Sequence, residues 1–417
     1  MSDAAPPRLA LVVQRYGAEV MGGAESHARM LAERMVSDLG WSVTVFTTCA
    51  RDYQTWNNEY PPGRSELRKV EVLRFPTLFP RIRPLFSLFS RLVRLATWGP
   101  WRHLGALLEY PWLVLQGPYS PALLTTLEAR QAEFQACLLV TYIYWPTVRG
   151  LERLAIPKIV IPTAHDEFAL YFRRVRRALQ AADLLLANTG SEAELLARVL
   201  DRSASDFPVV GVGFDEFDQP PPEFQPAGHL LYLGRLAKGK GVPRLLTAFS
   251  RWADAHPQSR LELVLVGQRD SGVNLPDHPR VRYLGYVSDE ERRALTASAL
   301  AVVNPSPHES LSMIVIEALA QMKPAMVNRD CPVLADYARQ VDTVFGFSGE
   351  EEFGVVLDRL LAEDWTSPEG RARLEKAREW GRSRYSWEAV LGRLEQALAR
   401  AIGTPTGSEG RPRSIAE

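Results

Sequence analysis

Short runs of consecutive apolar residues alternate with stretches of helical period along most of this chain. Leu9 to Val13 is apolar throughout and ends in turn residues. Gly22-Gly23 then opens a stretch with Ala24, Ala28, Leu31 and Met35 at helical spacing, stopped by Gly40. The pattern predicts a strand, a glycine loop and a helix. Val43 to Thr48 reads as the next strand, and similar runs recur at Ala136 to Thr141, Lys158 to Ile161 and Asp183 to Ala187. Strands separated by helix-length segments pair in parallel, because a parallel pair needs a long crossover.

A second cycle follows the proline cluster Gln219-Pro220-Pro221-Pro222 and Pro226, which resists regular structure and reads as a linker. Strands are predicted at Leu230 to Leu233, Leu261 to Val266, Val281 to Leu284, Leu300 to Asn304 and Ala325 to Asn328. Helices are predicted at Val242 to Ala255, at Ser288 to Ala297 with Ser288 and Glu291 as a capping box, and at Ser312 to Gln321. At 417 residues the chain exceeds the usual size of one core, so the reading is α/β with two doubly wound, Rossmann-like domains, residues 1–212 and 213–384. Such sheets receive ligands at the carboxyl ends of their strands, which predicts a site in a cleft between the domains. The tail, 403–417, is rich in Gly, Pro, Ser and charge and is expected to lack order.

Composition narrows the class. Lys plus Arg equals Asp plus Glu at 49 each, which gives no global reason to expect a nucleic-acid partner. Cys49, Cys137 and Cys331 are scattered and form no CxxC pair, so they read as buried small hydrophobes in a reducing compartment. The first residues carry no signal-peptide pattern, and no apolar run nears the roughly 20 residues of a membrane span, so a cytoplasmic protein is expected.

Gly234-Arg235-Leu236-Ala237-Lys238-Gly239-Lys240-Gly241 stands between a predicted strand and a predicted helix. Backbone N–H groups and the cations Arg235 and Lys240 could there grip a diphosphate. The segment nearly matches a phosphate-binding P-loop, but Gly241 stands where the magnesium-holding Ser or Thr belongs, which argues against an NTPase or kinase. Gly22-Gly23, at the first strand-to-helix turn, permits close approach of backbone to ligand, although a plain tight turn explains it as well. It is not a GxGxxG, which argues against a dehydrogenase.

Glu309 lies in the loop Pro305 to Ser312, and Glu317 is a lone charge in the apolar helix Met313 to Ala320. Glu317 either faces water or is held for a purpose, since a buried carboxylate without partners is costly. On the functional reading the two carboxylates accept hydrogen bonds from sugar and ribose hydroxyls, and the N–H groups around Ser310, Leu311 and Ser312 add donors.

The GGAE segment, the GRLxxxKG pattern, the LVLVG strand at Leu263, the LGYVSDEE stretch from Leu284 and two glutamates eight positions apart, taken in this order, resemble family-4 retaining glycosyltransferases of GT-B fold. The resemblance implies a nucleotide diphosphate sugar as donor, no metal, and a glycan or lipid-linked glycan acceptor in surface polysaccharide synthesis. It assigns Arg235 and Lys240 to the diphosphate leaving group, Glu317 to ribose, Glu309 to the transferred sugar, and Gly22 and Gly23 to a loop approaching the diphosphate. His165, after the strand Lys158 to Ile161, matches a histidine beside the donor sugar, so the implied catalytic set is His165, Glu309, Arg235 and Lys240. A same-face substitution needing no enzyme nucleophile is implied, and residues 385–402 are expected to form a helix that crosses back to the first domain. Two alternatives on this fold remain, a nucleotide-sugar epimerase and an inactive donor-binding scaffold. The segment Ser310-Leu311-Ser312 departs from the glycine-bearing loop of the family, and Asn328 to Pro332 departs from its glycine-rich turn.

From Arg74 to His103 the chain carries Arg74, Arg81, Arg83, Arg91, Arg94 and Arg102 without an acidic residue, among Phe75, Phe79, Phe86, Phe89, Trp98 and Trp101. Leu85, Phe89, Leu92 and Leu95 follow helical spacing. Two readings stand here: peripheral docking on an anionic membrane, at the inner face of the plasma membrane, or packing of the aromatics on the first sheet with arginines in solvent.

Overall fold

A computed structural model describes residues 6–20, 22–98, 102–219 and 228–403. The prolines of the linker reading, apart from the preceding Gln219, and the tail beyond Gly403 lie outside the described residues. The chain divides into two compact units, Met1–Val210 with Leu391–Glu417, and Gly211–Val390.

The first unit contains β1 (Arg8–Val12), α1 (Gly23–Ser37), β2 (Ser42–Thr48), β3 (Gly63–Leu67), β4 (Val70–Phe75), α2 (Arg83–Trp98), α3 (Arg102–Gln116) and α4 (Pro121–Arg130). It continues with β5 (Ala136–Val140), α5 (Trp145–Arg153), β6 (Lys158–Ile161), α6 (Arg173–Gln180), β7 (Leu184–Leu185) and α7 (Gly190–Leu200). Its seven strands run in the order β3-β4-β2-β1-β5-β6-β7, parallel except for β3, which is antiparallel to β4. Central strands such as β5 are buried at every position because helices cover both faces, which is why they read as unbroken apolar runs. The exposed edge strand β3, Gly-Arg-Ser-Glu-Leu, carries no such run and escapes a periodicity reading.

The second unit contains β8 (His229–Leu233), α8 (Val242–Ala255), β9 (Glu262–Val266), β10 (Val281–Gly285), α9 (Asp289–Ser298), β11 (Ala301–Asn304) and α10 (Met313–Ala320). β12 (Ala325–Asn328), α11 (Pro332–Gln340), β13 (Val344–Phe347), α12 (Gly349–Leu361) and α13 (Pro368–Tyr385) complete it. The six strands form a parallel sheet of order β10-β9-β8-β11-β12-β13. The Ser288 and Glu291 capping box is present at the start of α9. All three cysteines are buried. The last helix, α14 (Trp387–Gly403), begins in this unit, where the Trp387 indole N–H donates to Asp215 at 2.7 Å. From Leu391 it is counted with the first unit, where Arg393 donates to the Val210 carbonyl at 2.8 Å.

The arginine-rich segment is not one surface. Arg74 lies on β4, its guanidinium 4.7 Å from the centroid of the Tyr60 ring and bonded to the Tyr16 carbonyl. Arg81 is sandwiched between Trp56 and Phe86, and burial pushes its pKa down to about 10. Phe75, Phe86 and Phe89 pack against the core with the buried Val93, whereas Leu85, Leu88, Leu92 and Leu95 of α2 are 52% to 72% exposed. Phe89 is therefore not part of the outer stripe, because it falls on the helix face turned to the core. The side chains of Trp98, Trp101 and Arg102 lie outside the described residues.

Candidate functional site

In a doubly wound sheet the strand order reverses at one place, and the loops leaving the two strands there diverge and open a crevice. In the second sheet that place lies between β8 and β11, which pair through Leu230 with Ala301 and Leu231 with Val302. The loop after β8 carries Arg235 and Lys240, and the loop after β11 carries Glu309 to Ser312. Lys240 Nζ stands 2.9 Å from Glu309 Oε1, with the lysine side chain 37% exposed and the glutamate 15%. Residues of opposite charge, predicted separately for diphosphate and sugar, thus meet at the switch point.

Both loops are fixed by close main-chain contacts and by side-chain hydrogen bonds. Gly267 sits at φ +129, and a Cβ there would lie 2.1 Å from the Gly234 carbonyl oxygen, so the exits of β8 and β9 touch main chain to main chain. The Tyr232 hydroxyl donates to the Arg235 carbonyl at 2.8 Å, and Gly241, at φ +74, caps α8 in a left-handed conformation against the Pro305 carbonyl. In the second loop Asn304 donates to the Ser312 hydroxyl at 2.7 Å, and the Tyr337 hydroxyl donates to the Leu311 carbonyl at 2.6 Å. Leu311 and Ser312 are buried, so what this turn offers a ligand is main-chain N–H at the start of α10 rather than the Ser312 hydroxyl.

Glu317 does not face water. It is 7% exposed on α10 and bonded by the guanidinium of Arg292 from α9, which also lies 4.0 Å from Glu216. Burial pushes its carboxyl up to about 7, and the charge of Arg292 opposes that rise. Neither Arg292 nor Glu216 emerged from the sequence, because Arg292 meets both carboxylates, Glu317 and Glu216, only through the packing of elements far apart in the chain.

In the first unit, Gly22 and Gly23 are exposed at the amino end of α1, and Gly22 has φ +150. Behind them Glu25 is 6% exposed and accepts from Gln14 at 2.8 Å and from Arg15 Nε at 2.9 Å. A Cβ on Gly22 would lie 2.2 Å from its other oxygen, which explains the glycine and the glutamate of the GGAE segment together. His165 stands in the loop after β6, its Nε2 3.6 Å from Glu167 Oε1, and that oxygen accepts from the Tyr142 hydroxyl at 2.6 Å. Among the described residues no group of three or more His, Cys, Asp or Glu could hold a metal ion. No helix among them is long and apolar enough to cross a membrane.

Two Rossmann-like units, each a wholly or mostly parallel sheet flanked by helices, define the GT-B class. A sucrose-phosphate synthase from Thermosynechococcus elongatus superposes with a TM-score of 0.69 at 18% identity, covering 95% of this chain and 99% of that one. Anabaena HepE in complex with UDP and glucose superposes with a TM-score of 0.64 at 14% identity, covering 94% and 100%. Residues 22–213 match the glycosyl transferase 4-like domain, and residues 227–362 match the glycosyl transferases group 1. The chain belongs to this group 1 and family-4-like set of GT-B glycosyltransferases. A D-inositol 3-phosphate glycosyltransferase of Corynebacterium aurimucosum is 25% identical over 286 residues, which cover 62% of this chain and 66% of that protein. An uncharacterised glycosyltransferase of Methanocaldococcus jannaschii is 25% identical over 169 residues, 39% of this chain and 42% of that protein. The match therefore spans less than two thirds of either curated relative.

Proposed function

We propose that the protein transfers a hexose, with retention, from a nucleotide diphosphate sugar to a glycan or lipid-linked glycan acceptor of a surface polysaccharide. The Lys240–Glu309 pair at the switch point of the second sheet carries this reading. Charge accumulates on the diphosphate as the glycosidic bond breaks, so Arg235 and Lys240, held in place beforehand, stabilise the transition state more than the ground state. As the diphosphate takes up Lys240, Glu309 is released to accept from sugar hydroxyls. Glu317, kept in position by Arg292, accepts from the ribose, and the N–H groups of Ser310 to Ser312 supply donors. In the first unit Gly22 and Gly23 give the diphosphate a close main-chain approach, and His165 serves the donor sugar. The residues of this scheme require no metal.

Incubation with UDP-, GDP- and ADP-sugars tests the reading. Transfer predicts nucleotide diphosphate release that a glycan acceptor accelerates. Interconversion of the sugar without release would mark an epimerase, and binding without either would mark a scaffold.

For a lipid-linked acceptor, α2 is the element we assign to the membrane. Leu85, Leu88, Leu92 and Leu95 form an outward stripe beside the exposed Arg83 and Arg91, and the helix has no acidic residue. An apolar stripe between basic side chains fits an anionic bilayer surface, where each cation adds about 1 kcal/mol. Cosedimentation with phosphatidylglycerol vesicles is expected at low salt and is expected to be lost in Leu88→Glu/Leu92→Glu. Absence of wild-type binding would remove the assignment.

A further inference from the structure

The loop that carries His165 is built under strain. Thr141, just after β5, has φ +70, and Thr163, two residues after β6, has φ +51. A β-branched residue in the left-handed region is a real outlier and persists only where its surroundings over-determine it. The two hydroxyls lie 3.4 Å apart, so the strained positions are adjacent across neighbouring strand ends.

Glu192 supplies the constraint. It is 1% exposed in the first turn of α7, where Thr189 caps the helix by accepting from the Glu192 N–H at 3.1 Å. In an ordinary capping box the glutamate would return a bond to the N–H of the capping residue. Here one carboxylate oxygen accepts from the N–H of Asn188 at 2.7 Å, and the other reaches across to the N–H of Ala164. One buried carboxylate thereby ties the exit of β7 to the exit of β6. Burial raises its pKa to about 7, and the bonds from Asn188 and Ala164 pull the other way, as expected of a carboxylate retained for the N–H groups it holds.

The next residue after Ala164 is His165, whose ring meets Glu167, and Glu167 is in turn fixed by Tyr142 beside the strained Thr141. We infer that Glu192 is a positioning residue, clamping the Ala164 main chain so that the His165 imidazole is presented at the carboxyl end of β6. The inference rests on the reading of His165 as the group beside the donor sugar. The motif reading does not reach Glu192, because a carboxylate three residues after a threonine cap looks like helix capping alone.

Glu192→Gln keeps the size but puts an amide N–H₂ against one of the two N–H donors. Turnover is expected to fall about 10- to 100-fold, the scale of a small misplacement of a reacting group, with donor KM unchanged. His165→Ala should lower turnover by itself, and adding Glu192→Gln to it should cost nothing further in kcat, since the clamp acts only through the histidine. A merely structural role would make the losses additive and move KM as well. If Glu192→Gln does not fold, Glu192→Asp serves, because a side chain one methylene shorter keeps the nearby cap but falls short of Ala164. Wild-type turnover in the folded Glu192 variant beside an impaired His165→Ala, or additive losses in the double variant, would overturn the clamp and leave the histidine reading intact. Wild-type turnover in His165→Ala would end that reading and the clamp with it.

Discussion

Lys240→Ala lowers donor turnover by about 100- to 1,000-fold, the range found when one fixed donor to a developing oxyanion is removed. The same substitution leaves thermal unfolding close to wild type, because the Lys240–Glu309 pair is partly exposed and such pairs contribute about 0–1 kcal/mol to stability. Separation of the two effects is the test. A lysine that merely neutralised Glu309 would leave turnover near wild type, and a lysine needed for folding would lower the unfolding temperature. Steady-state release of nucleotide diphosphate, read beside a thermal melt, distinguishes these outcomes. Lys240→Arg should recover part of the rate by restoring the charge, though not its point geometry.

Gly241→Ala should cost more than about 2 kcal/mol of stability, since it combines a left-handed backbone with a steric conflict. Gly241 has φ +74, and a Cβ there would lie 2.2 Å from the Pro305 carbonyl oxygen, a main-chain atom unable to rotate aside. To admit the methyl group, the loop after β8 must part from the loop after β11, which also separates Lys240 from Glu309. Gly239→Ala is the internal control. That glycine lies two residues away in the same loop, no atom stands within 4 Å of its added Cβ, and its φ is outside the positive range. Its replacement should be neutral or stabilise by up to about 1 kcal/mol through the unfolded chain. Urea unfolding of the three proteins reads the difference, and equal midpoints for both variants would refute the close contact of the two loops.

Much of the architecture was legible from neighbours in the chain. Unbroken apolar runs such as Ala136 to Val140 mark strands covered on both faces, and Ser288 with Glu291 marks a helix start, because each signal is complete within a few residues. The polar β3 left no such trace, and the arginine-rich stretch left two readings open, membrane docking or packing on the sheet with arginines in solvent, neither of which placed Arg74 on a strand or Arg81 between aromatic rings. Within α2, helical spacing grouped Phe89 with leucines that the fold turns the other way. Sequence spacing shows which residues share a face, but not which face meets the sheet.

By itself the sequence determined the two α/β cycles and the residue types waiting after each strand: glycines and cations after β8, a carboxylate and small polar residues after β11. The tertiary structure decided which of these meet. Lys240 and Glu309 are 69 positions apart and touch because β8 and β11 are neighbours where the strand order reverses. Arg292 reaches Glu317, and Glu192 reaches Ala164, by the same kind of non-local placement. Periodicity and capping are energies of adjacent residues, whereas strand order and helix docking are settled by burial over the whole sheet, so the chemistry of each side chain was visible early and its partner only in the fold.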